Sequence, residues 1–351
     1  MAIAEANPFV QQRDLRTGTS YVLRSDRGVI CLTGADRLTW LDGLVSQQVR
    51  ALAPGESVET LILTPQGRVQ HQVSVVDDGL CCYLILDTSS IAELAEWLDG
   101  MIFSGDVAVR SEPNLSVWGV FAGTANDAMA SALAEASTES AVIVWHDPWS
   151  ALVLGGVQYA AEPHPGDSWD YREYLVPKAA AERVASALSD AGCTLSDLGA
   201  WDALRIAAWR PKREAEGDDA LLPHEVDWMR SAVHMSKGCY RGQETVAKVH
   251  NLGAPPRRLV LLHLDGMSDT LPERGNPVQL DGDTVGHITS AARHGEDGPI
   301  ALALVKRTTS EAATLDVLTD DAVARATQVV VVPSSAGHAV TVERLPRLRD
   351  R

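Results

Sequence analysis

Short apolar stretches alternate with amphipathic segments through the first third of the chain. The apolar stretches have strand length, and residues 35–44 space three leucines along one face of a helix. Asp78-Gly79 between two apolar runs is a strong hairpin signal, and Ser89-Ser90 is predicted to cap a second helix. This order predicts an α+β layer rather than a doubly wound parallel sheet. The predicted strands are 21–24, 28–32, 60–63, 69–76 and 80–86.

The middle of the chain repeats this mixture, and the last third does not. Asn251 to Pro256 is rich in turn residues and predicts a linker. Beyond it, short strands separated by turns predict a small β-barrel or sandwich. Strands are predicted at 116–121, 141–145, 151–154, 174–177, 258–264, 277–280, 284–290 and 300–305, and helices at 126–136, 179–191 and 201–208.

These elements predict three structural units. Residues 1–250 are expected to form two α+β subdomains, about 1–110 and 111–250, which can interleave along the chain. Residues 251–351 are expected to form a C-terminal β-barrel that ends in a basic tail at 344–351. A chain of 351 residues is long enough to bury more than one core.

The formal net charge of -17 narrows the range of partners. Such a surface repels phosphate backbones and anionic membranes, so neither nucleic acid nor membrane is an expected partner. No apolar run approaches the roughly 20 residues that span a bilayer, and the N-terminus lacks the pattern of a signal peptide. Five irregularly spaced cysteines indicate a reducing compartment. We therefore expect a cytoplasmic protein, and a monomer.

The segment Lys237-Gly238-Cys239-Tyr240-Arg241-Gly242-Gln243-Glu244 is the strongest candidate for chemistry. Two glycines bracket a thiol and permit unusual backbone angles. Lys237 and Arg241 flank Cys239, and nearby cations stabilise a thiolate. Gln243 offers a donor and an acceptor, and Glu244 offers a carboxylate. The alternative is a tight turn around a buried, inert cysteine, which composition does not exclude.

The same eight residues resemble the signature of the YgfZ family, relatives of the glycine-cleavage T-protein, an aminomethyltransferase. Residues 32–37 and 41–45 resemble the family's N-terminal strand–helix unit, and residues 63–68 resemble its strand–turn–strand. Arg257-Arg258-Leu259 opens what looks like its C-terminal barrel. The resemblance spans about residues 20–310 and is loose between roughly 110 and 195.

The resemblance implies a GcvT-like α+β fold, ring-like and in three parts, enclosing a cleft for tetrahydrofolate or a one-carbon derivative. It also implies an accessory role in assembling or repairing iron–sulfur proteins, and through them in tRNA modification. Cys239 would be the functional residue, by taking up a one-carbon unit or by exchanging redox equivalents. The expected partners are folate and iron–sulfur proteins or their assembly machinery. The predicted folate-binding residues are Lys237, Tyr240, Arg241, Gln243, Glu244, Arg205, Trp209 and Glu225.

Two departures from the family pattern bear on function. The family's pterin-binding carboxylate corresponds to Ala207, so another acceptor is needed; Glu225, Asp227 and Glu214 are the candidates. The aminomethyltransferases' catalytic carboxylate corresponds to residues 70–72, which read Gln-His-Gln, with His71 as the remaining proton carrier. A folate-dependent aminomethyltransferase is therefore the alternative function. A thiol hydrolase or zinc site using Cys239 with His224, His234 and His250 is disfavoured by their spacing, and a scaffold role follows if Cys239 is inert.

Overall fold

The structure is a computed structural model that describes residues 7–136, 142–266, 270–319 and 322–337. Within these ranges the helices are α1 (Pro8–Arg16), α2 (Arg37–Asp42), α3 (Ile91–Gly100), α4 (Thr124–Ala136), α5 (Ala181–Asp190), α6 (Leu198–Ala207), α7 (Arg213–Glu216) and α8 (Gln243–Leu252). The strands are β1 (Ser20–Leu23), β2 (Arg27–Thr33), β3 (Ser57–Leu63), β4 (Val69–Asp77), β5 (Cys81–Asp87), β6 (Ala108–Ser111), β7 (Leu115–Phe121), β8 (Val144–His146), β9 (Tyr171–Pro177), β10 (Thr194–Ser196), β11 (Arg257–Leu264), β12 (Pro277–Leu280), β13 (Asp283–His294), β14 (Gly298–Lys306), β15 (Thr314–Leu318) and β16 (Val323–Val330).

The first sheet has the order β3-β4-β5-β2-β6 and is antiparallel throughout. The predicted hairpin at Asp78-Gly79 is confirmed, because the Asp78 carboxylate accepts from the backbone N–H groups of Leu80 and Cys81. Helix α3 covers one face of this sheet with Leu94 and Leu98, which are fully buried. The alternation of the sequence thus becomes a sheet with a helix on one side.

The second sheet has the order β10-β1-β7-β9-β8, with β10 parallel to β1 and the other pairs antiparallel. Helices α4 and α5 pack on it through Met129, Val184 and Leu188. Strand β1 immediately precedes β2 in the chain, yet it belongs to this second sheet. The subdomain boundaries near residues 110 and 250 stay a prediction.

The last six strands form a closed barrel in the order β11-β14-β13-β12-β15-β16. Because the barrel is closed, each strand pairs with a neighbour on both sides and no edge strand is left. Alternate apolar side chains such as Val260 and Leu262 fill the interior. Together with the two sheets, the barrel confirms the predicted α+β class and three-part architecture.

A tryptophan-rich core lies where the three units meet. Trp145, Trp149 and Trp228 are nearly or fully buried there, and the Arg24 guanidinium lies 3.7 Å from the ring centre of Trp201. Arginine stacking on an aromatic face is favourable when desolvated. This junction positions the candidate site described below.

Some local predictions were wrong. Residues 151–154 form a loop and not a strand, and Val153 N–H donates to Arg230 O outside any sheet. Ser90 makes no capping bond to α3; instead the Asp87 carboxylate accepts from Ser89 N–H. Residue 141 and the basic tail at 344–351 lie outside the described residues. Within the described ranges, none of the helices has the length and apolar character to cross a bilayer.

Candidate functional site

The thiol loop, residues 237–242, leads from a buried segment into α8. Gly242 precedes α8 with φ +85°, a left-handed angle that favours glycine. A Cβ at Gly242 would lie 2.6 Å from the Thr64 carbonyl oxygen, so the turn before β4 packs directly on the loop. The two segments that carry the sequence signature, 63–68 and 237–244, are therefore in contact.

Lys237 anchors the start of this loop. Its side chain is buried, and its ammonium donates to the main-chain carbonyls of Asp42, Val45 and Gln47 at 2.7, 2.8 and 2.8 Å. Asp42 Oδ1 lies 3.3 Å from the ammonium and supplies a countercharge. Burial lowers the pKa of Lys237, and the Asp42 charge opposes this. The predicted role of Lys237 in folate binding stays a prediction, and the three N–H donors of its ammonium already have partners within the protein.

The other residues of the motif lie around an exposed thiol. Cys239 is exposed, whereas Tyr240 is buried with its ring centre 5.5 Å from the Lys237 ammonium. The Arg241 guanidinium lies 5.6 Å from the ring centre of Trp97. Gln243 donates weakly, at 3.3 and 3.4 Å, to the Lys237 and Gly238 carbonyls. Glu244, in the first turn of α8, is exposed.

Three predicted folate ligands lie elsewhere and have partners of their own. Arg205 is buried and pairs with Glu216 at 3.3 Å and Asp202 at 2.5 Å. Glu225 is buried and pairs with Arg257 at 2.7 Å, which ties it to the first barrel strand. Trp209 is buried at φ +56° with its ring edge-on to His164. The role of these three residues in folate binding stays a prediction; their described contacts join them to other parts of the protein.

The other candidate carboxylates are also enclosed. Asp227 is fully buried, has φ +59°, and accepts at 2.6 Å from Tyr159 N–H. Burial raises the pKa of Asp227 to about 7. Burial, assisted by the charge of Asp87, raises the pKa of Glu214. His71 is half-buried on β4, and burial lowers its pKa.

The central cleft between the two sheets is filled with ion pairs. Glu173 binds Arg24 at 2.8 Å and Arg27 at 3.0 Å, and Arg210 lies 2.7 Å from Glu59 and 3.0 Å from Asp147. The remaining space is about 20 Å³, room for about one water molecule. The residues present in this cleft therefore do not fit a pteridine ring.

A second cavity, of about 570 Å³, lies beside the turn at residues 42–47, whose carbonyls bind the Lys237 ammonium. Gln47 of that turn and the next residue, Gln48, line it, together with Glu56, His146 and His234. Its volume falls within the usual range for small-molecule sites, about 300–1,000 Å³. Polar and apolar side chains both contribute to its lining, so the cavity offers hydrogen-bonding groups beside apolar surface.

Sequence reasoning missed the turn at 42–47 and the ion-pair residues of the cleft. Glu59 and Glu173 did carry a signal, since each is the one carboxylate in a mainly apolar strand. The turn at 42–47 acts through main-chain carbonyls, which leave no mark in the sequence. Among the described residues, no group of three or more histidine, cysteine, aspartate or glutamate side chains is arranged to hold a metal ion.

The chain is similar in sequence to several known proteins. Residues 257–335 match the family model of the glycine cleavage T-protein C-terminal barrel domain. The chain is 26% identical to an aminomethyltransferase of Rippkaea orientalis over 315 residues, 87% of this chain and 83% of that protein. It is 24% identical to the tRNA-modifying protein YgfZ of Escherichia coli over 329 residues, 92% and 96% of the two chains.

Among solved structures, the aminomethyltransferase T of the glycine cleavage system from Bartonella henselae superposes with a TM-score of 0.73. The match covers 94% of this chain and 89% of that one at 15% identity, and it supports the fold. The barrel match, the full-length relatives and the shared fold agree with one another. The chain thus resembles the YgfZ/GcvT-like superfamily along most of its length and shares its C-terminal barrel.

Proposed function

We propose that this protein is a cytoplasmic, folate-binding accessory factor for iron–sulfur proteins, and that it acts through the thiol of Cys239. The observation that carries the proposal is the exposed thiol on a loop whose two ends are held. Lys237 anchors one end and Gly242 packs against the Thr64 turn at the other. A tight turn built around a buried cysteine would have hidden this sulfur.

Exposure separates Cys239 from the other cysteines. Cys31, Cys82 and Cys193 are buried and Cys81 is intermediate, and all five are free. Because a thiol that serves a partner protein or a bound cofactor must be reachable, Cys239 is the best placed of the five. The predicted cytoplasmic location is part of the proposal, and five free thiols are compatible with it.

The folate part of the proposal rests on the resemblance to the YgfZ/GcvT-like superfamily and on the cavity of about 570 Å³. Gln47 lines this cavity, and its main-chain carbonyl accepts a hydrogen bond from the Lys237 ammonium. A folate bound there would lie against the structure that anchors the thiol loop. The central cleft is excluded from the proposal by its ion pairs and its small volume.

Calorimetric titration with tetrahydrofolate under anaerobic conditions tests the binding claim. Wild type and Cys239→Ala are expected to bind alike, and Ala51→Trp, which adds a bulky side chain to the cavity lining, to bind about tenfold more weakly or worse. The matched control is Ala92→Trp, another exposed alanine, which lines a different cavity. Absence of binding in folded wild type would end the folate claim, and equal effects of the two tryptophans would remove the cavity from it.

Genetic complementation tests the thiol claim. In a strain that needs this protein for an iron–sulfur enzyme, Cys239→Ala is expected to fold but not to restore that enzyme's activity. A Cys81→Ala variant serves as the control, because that thiol is half-buried in a strand. Full rescue by Cys239→Ala would contradict a role for the thiol.

One-carbon transfer of the aminomethyltransferase type is the second candidate. It is favoured by the relative named aminomethyltransferase, which matches over most of both chains. The strand residues Gln70, His71 and Gln72 offer no carboxylate at the position expected for that chemistry. Release of a one-carbon unit from an aminomethyl-lipoyl carrier protein to tetrahydrofolate would establish this activity, and its absence in the folate-binding protein would discard it.

A further inference from the structure

We propose that Lys237 is a positioning residue for the Cys239 thiol, which fastens the thiol loop to the turn at 42–47, and is not a cation for ligand or thiolate. The inference rests on the proposed function in one respect only, that Cys239 is the reactive group. Its evidence is the set of contacts around the Lys237 ammonium.

These contacts saturate the ammonium. A lysine ammonium has three N–H donors, and the three main-chain carbonyls of Asp42, Val45 and Gln47 accept them at 2.7–2.8 Å. The side chain is 1% exposed, and the nearest carboxylate oxygen, Asp42 Oδ1, lies 3.3 Å away. A ligand carboxylate could reach this ammonium only by displacing one of these partners and entering a buried site.

The hydrogen bonds of Lys237 hold the chain two residues before Cys239. Gly238, between Lys237 and Cys239, has open space where a side chain would stand, so neighbouring side chains do not restrain it there. The Gln243 amide closes the loop from the other side through the carbonyls of Lys237 and Gly238. Lys237 is thus the strongest hold on the N-terminal half of the loop.

The turn that Lys237 grips is itself held firmly. Ser46 Oγ donates to Ala232 O at 2.6 Å, and His234 N–H donates to Ser46 O at 3.0 Å. Gln47 of this turn and the next residue, Gln48, line the cavity of about 570 Å³. Lys237 therefore sets the position of the thiol loop relative to that cavity, in addition to holding it on the body of the protein.

Three variants separate positioning from charge. Lys237→Met keeps the length of the side chain but leaves the three carbonyls without donors. Lys237→Gln removes the charge but keeps an amide that donates two hydrogen bonds. Arg241→Met is the matched control, since it removes the other flanking cation, which lies over the Trp97 ring instead of in a carbonyl cage.

Two measurements are made on each full-length variant. Amide hydrogen exchange of residues 238–242 reports the hold on the loop. The pH dependence of alkylation of Cys239 by iodoacetamide, a neutral probe followed by peptide mass spectrometry, reports the thiol's titration midpoint. Amide exchange of residues 238–242 is expected to be about tenfold faster than wild type in Lys237→Met and to have the wild-type rate in Arg241→Met. In Lys237→Gln the rate is expected to lie between these two. The midpoint is expected to stay that of wild type in both Lys237 variants.

A midpoint raised equally in Lys237→Met and Lys237→Gln, with exchange unchanged, would overturn the proposal and make Lys237 an electrostatic partner of the thiol. Exchange raised evenly along the whole chain would also overturn it, as a purely global effect. If Lys237→Met does not fold, the exchange and midpoint of Lys237→Gln decide alone. Complementation reports separately on the proposed function, because it can fail in wild type while the exchange result stands.

Discussion

Gly242 and Gly67 pack backbone against backbone: a Cβ built on Gly242 would lie 3.0 Å from the Cα of Gly67. Both residues have left-handed φ angles, +85° and +71°. Neither position tolerates a side chain without strain or a shift of the other segment. The strand turn and the thiol loop, about 175 residues apart in the sequence, therefore form one rigid unit next to Cys239.

Gly242→Ala is expected to destabilise the protein by about 1–3 kcal/mol, because the new methyl group meets the Thr64 carbonyl and the left-handed angle is unfavourable. Gly238→Ala is the control; its side chain would meet open space, and a change within about 0.5 kcal/mol is expected. Urea unfolding of both variants checks the difference. Equal destabilisation would show that neither the contact with Thr64 nor the left-handed angle of Gly242 is the cause.

Glu225→Gln is expected to lower the free energy of unfolding by about 2 kcal/mol or more. Glu225 is buried, and its carboxylate binds Arg257 at 2.7 Å and accepts from Leu222 N–H at 3.0 Å. Arg325→Gln, on an exposed arginine 3.7 Å from Asp316, is expected to change stability by at most about 0.5 kcal/mol. A loss in Glu225→Gln as small as in this control would mean that the pair does not tie the barrel to the rest of the chain.

Stability is expected to depend on pH through His224. Burial lowers its pKa to about 3, whereas an unfolded histidine titrates near 6.5. As the pH falls from 6.5 to 3, the unfolded state takes up a proton that the folded state refuses, so stability falls. His224→Gln is expected to reduce this slope by up to about 1.4 kcal/mol per pH unit, measured by urea unfolding across the window. His263→Gln, at a half-buried histidine on strand β11, is the comparison variant.

The ionisation of Asp227 makes stability fall as the pH rises, opposite to the effect of His224. Burial raises its pKa from the ordinary 3.8 of an aspartate to about 7, so its contribution to stability is full below pH 3.8 and is lost as the pH rises through 7. Asp227→Asn keeps the oxygen that accepts from Tyr159 and cannot ionise. The variant is expected to melt above wild type at pH 8, with a difference that shrinks towards pH 4. A difference that did not change with pH would contradict a titrating Asp227.

Thiol labelling of the native protein is expected to modify Cys239 first. Cys31, Cys82 and Cys193 are buried, so they should react only after unfolding, and Cys81 at an intermediate rate. Peptide mass spectrometry after a short exposure to iodoacetamide measures this order directly. Labelling of Cys239 only in denaturant would place the sulfur in the interior and remove the basis of the proposed function.

Much of the fold follows from local pattern. Apolar runs predicted every strand of the two sheets except β6 and β10, and four of the six barrel strands, and Asp78-Gly79 predicted its hairpin. The strand predicted at 151–154 was wrong because a short apolar run becomes a strand only if a neighbouring strand pairs with it, and here the backbone bonds to Arg230 instead. Helix α1 was not predicted, since its weak amphipathic pattern, with Leu15 buried among polar residues, gives little signal.

The sequence by itself determined the α+β class, the barrel and the glycine-bounded loop that carries Cys239, because strand period, turn residues and backbone freedom are properties of neighbouring residues. Only the tertiary structure decided what Lys237 and Glu225 do. The carbonyl of Asp42 that Lys237 binds lies 195 positions away along the chain, and Glu225 is paired with Arg257, 32 positions on. Partners of buried charges depend on which distant segments meet, and that is settled by packing of the whole chain.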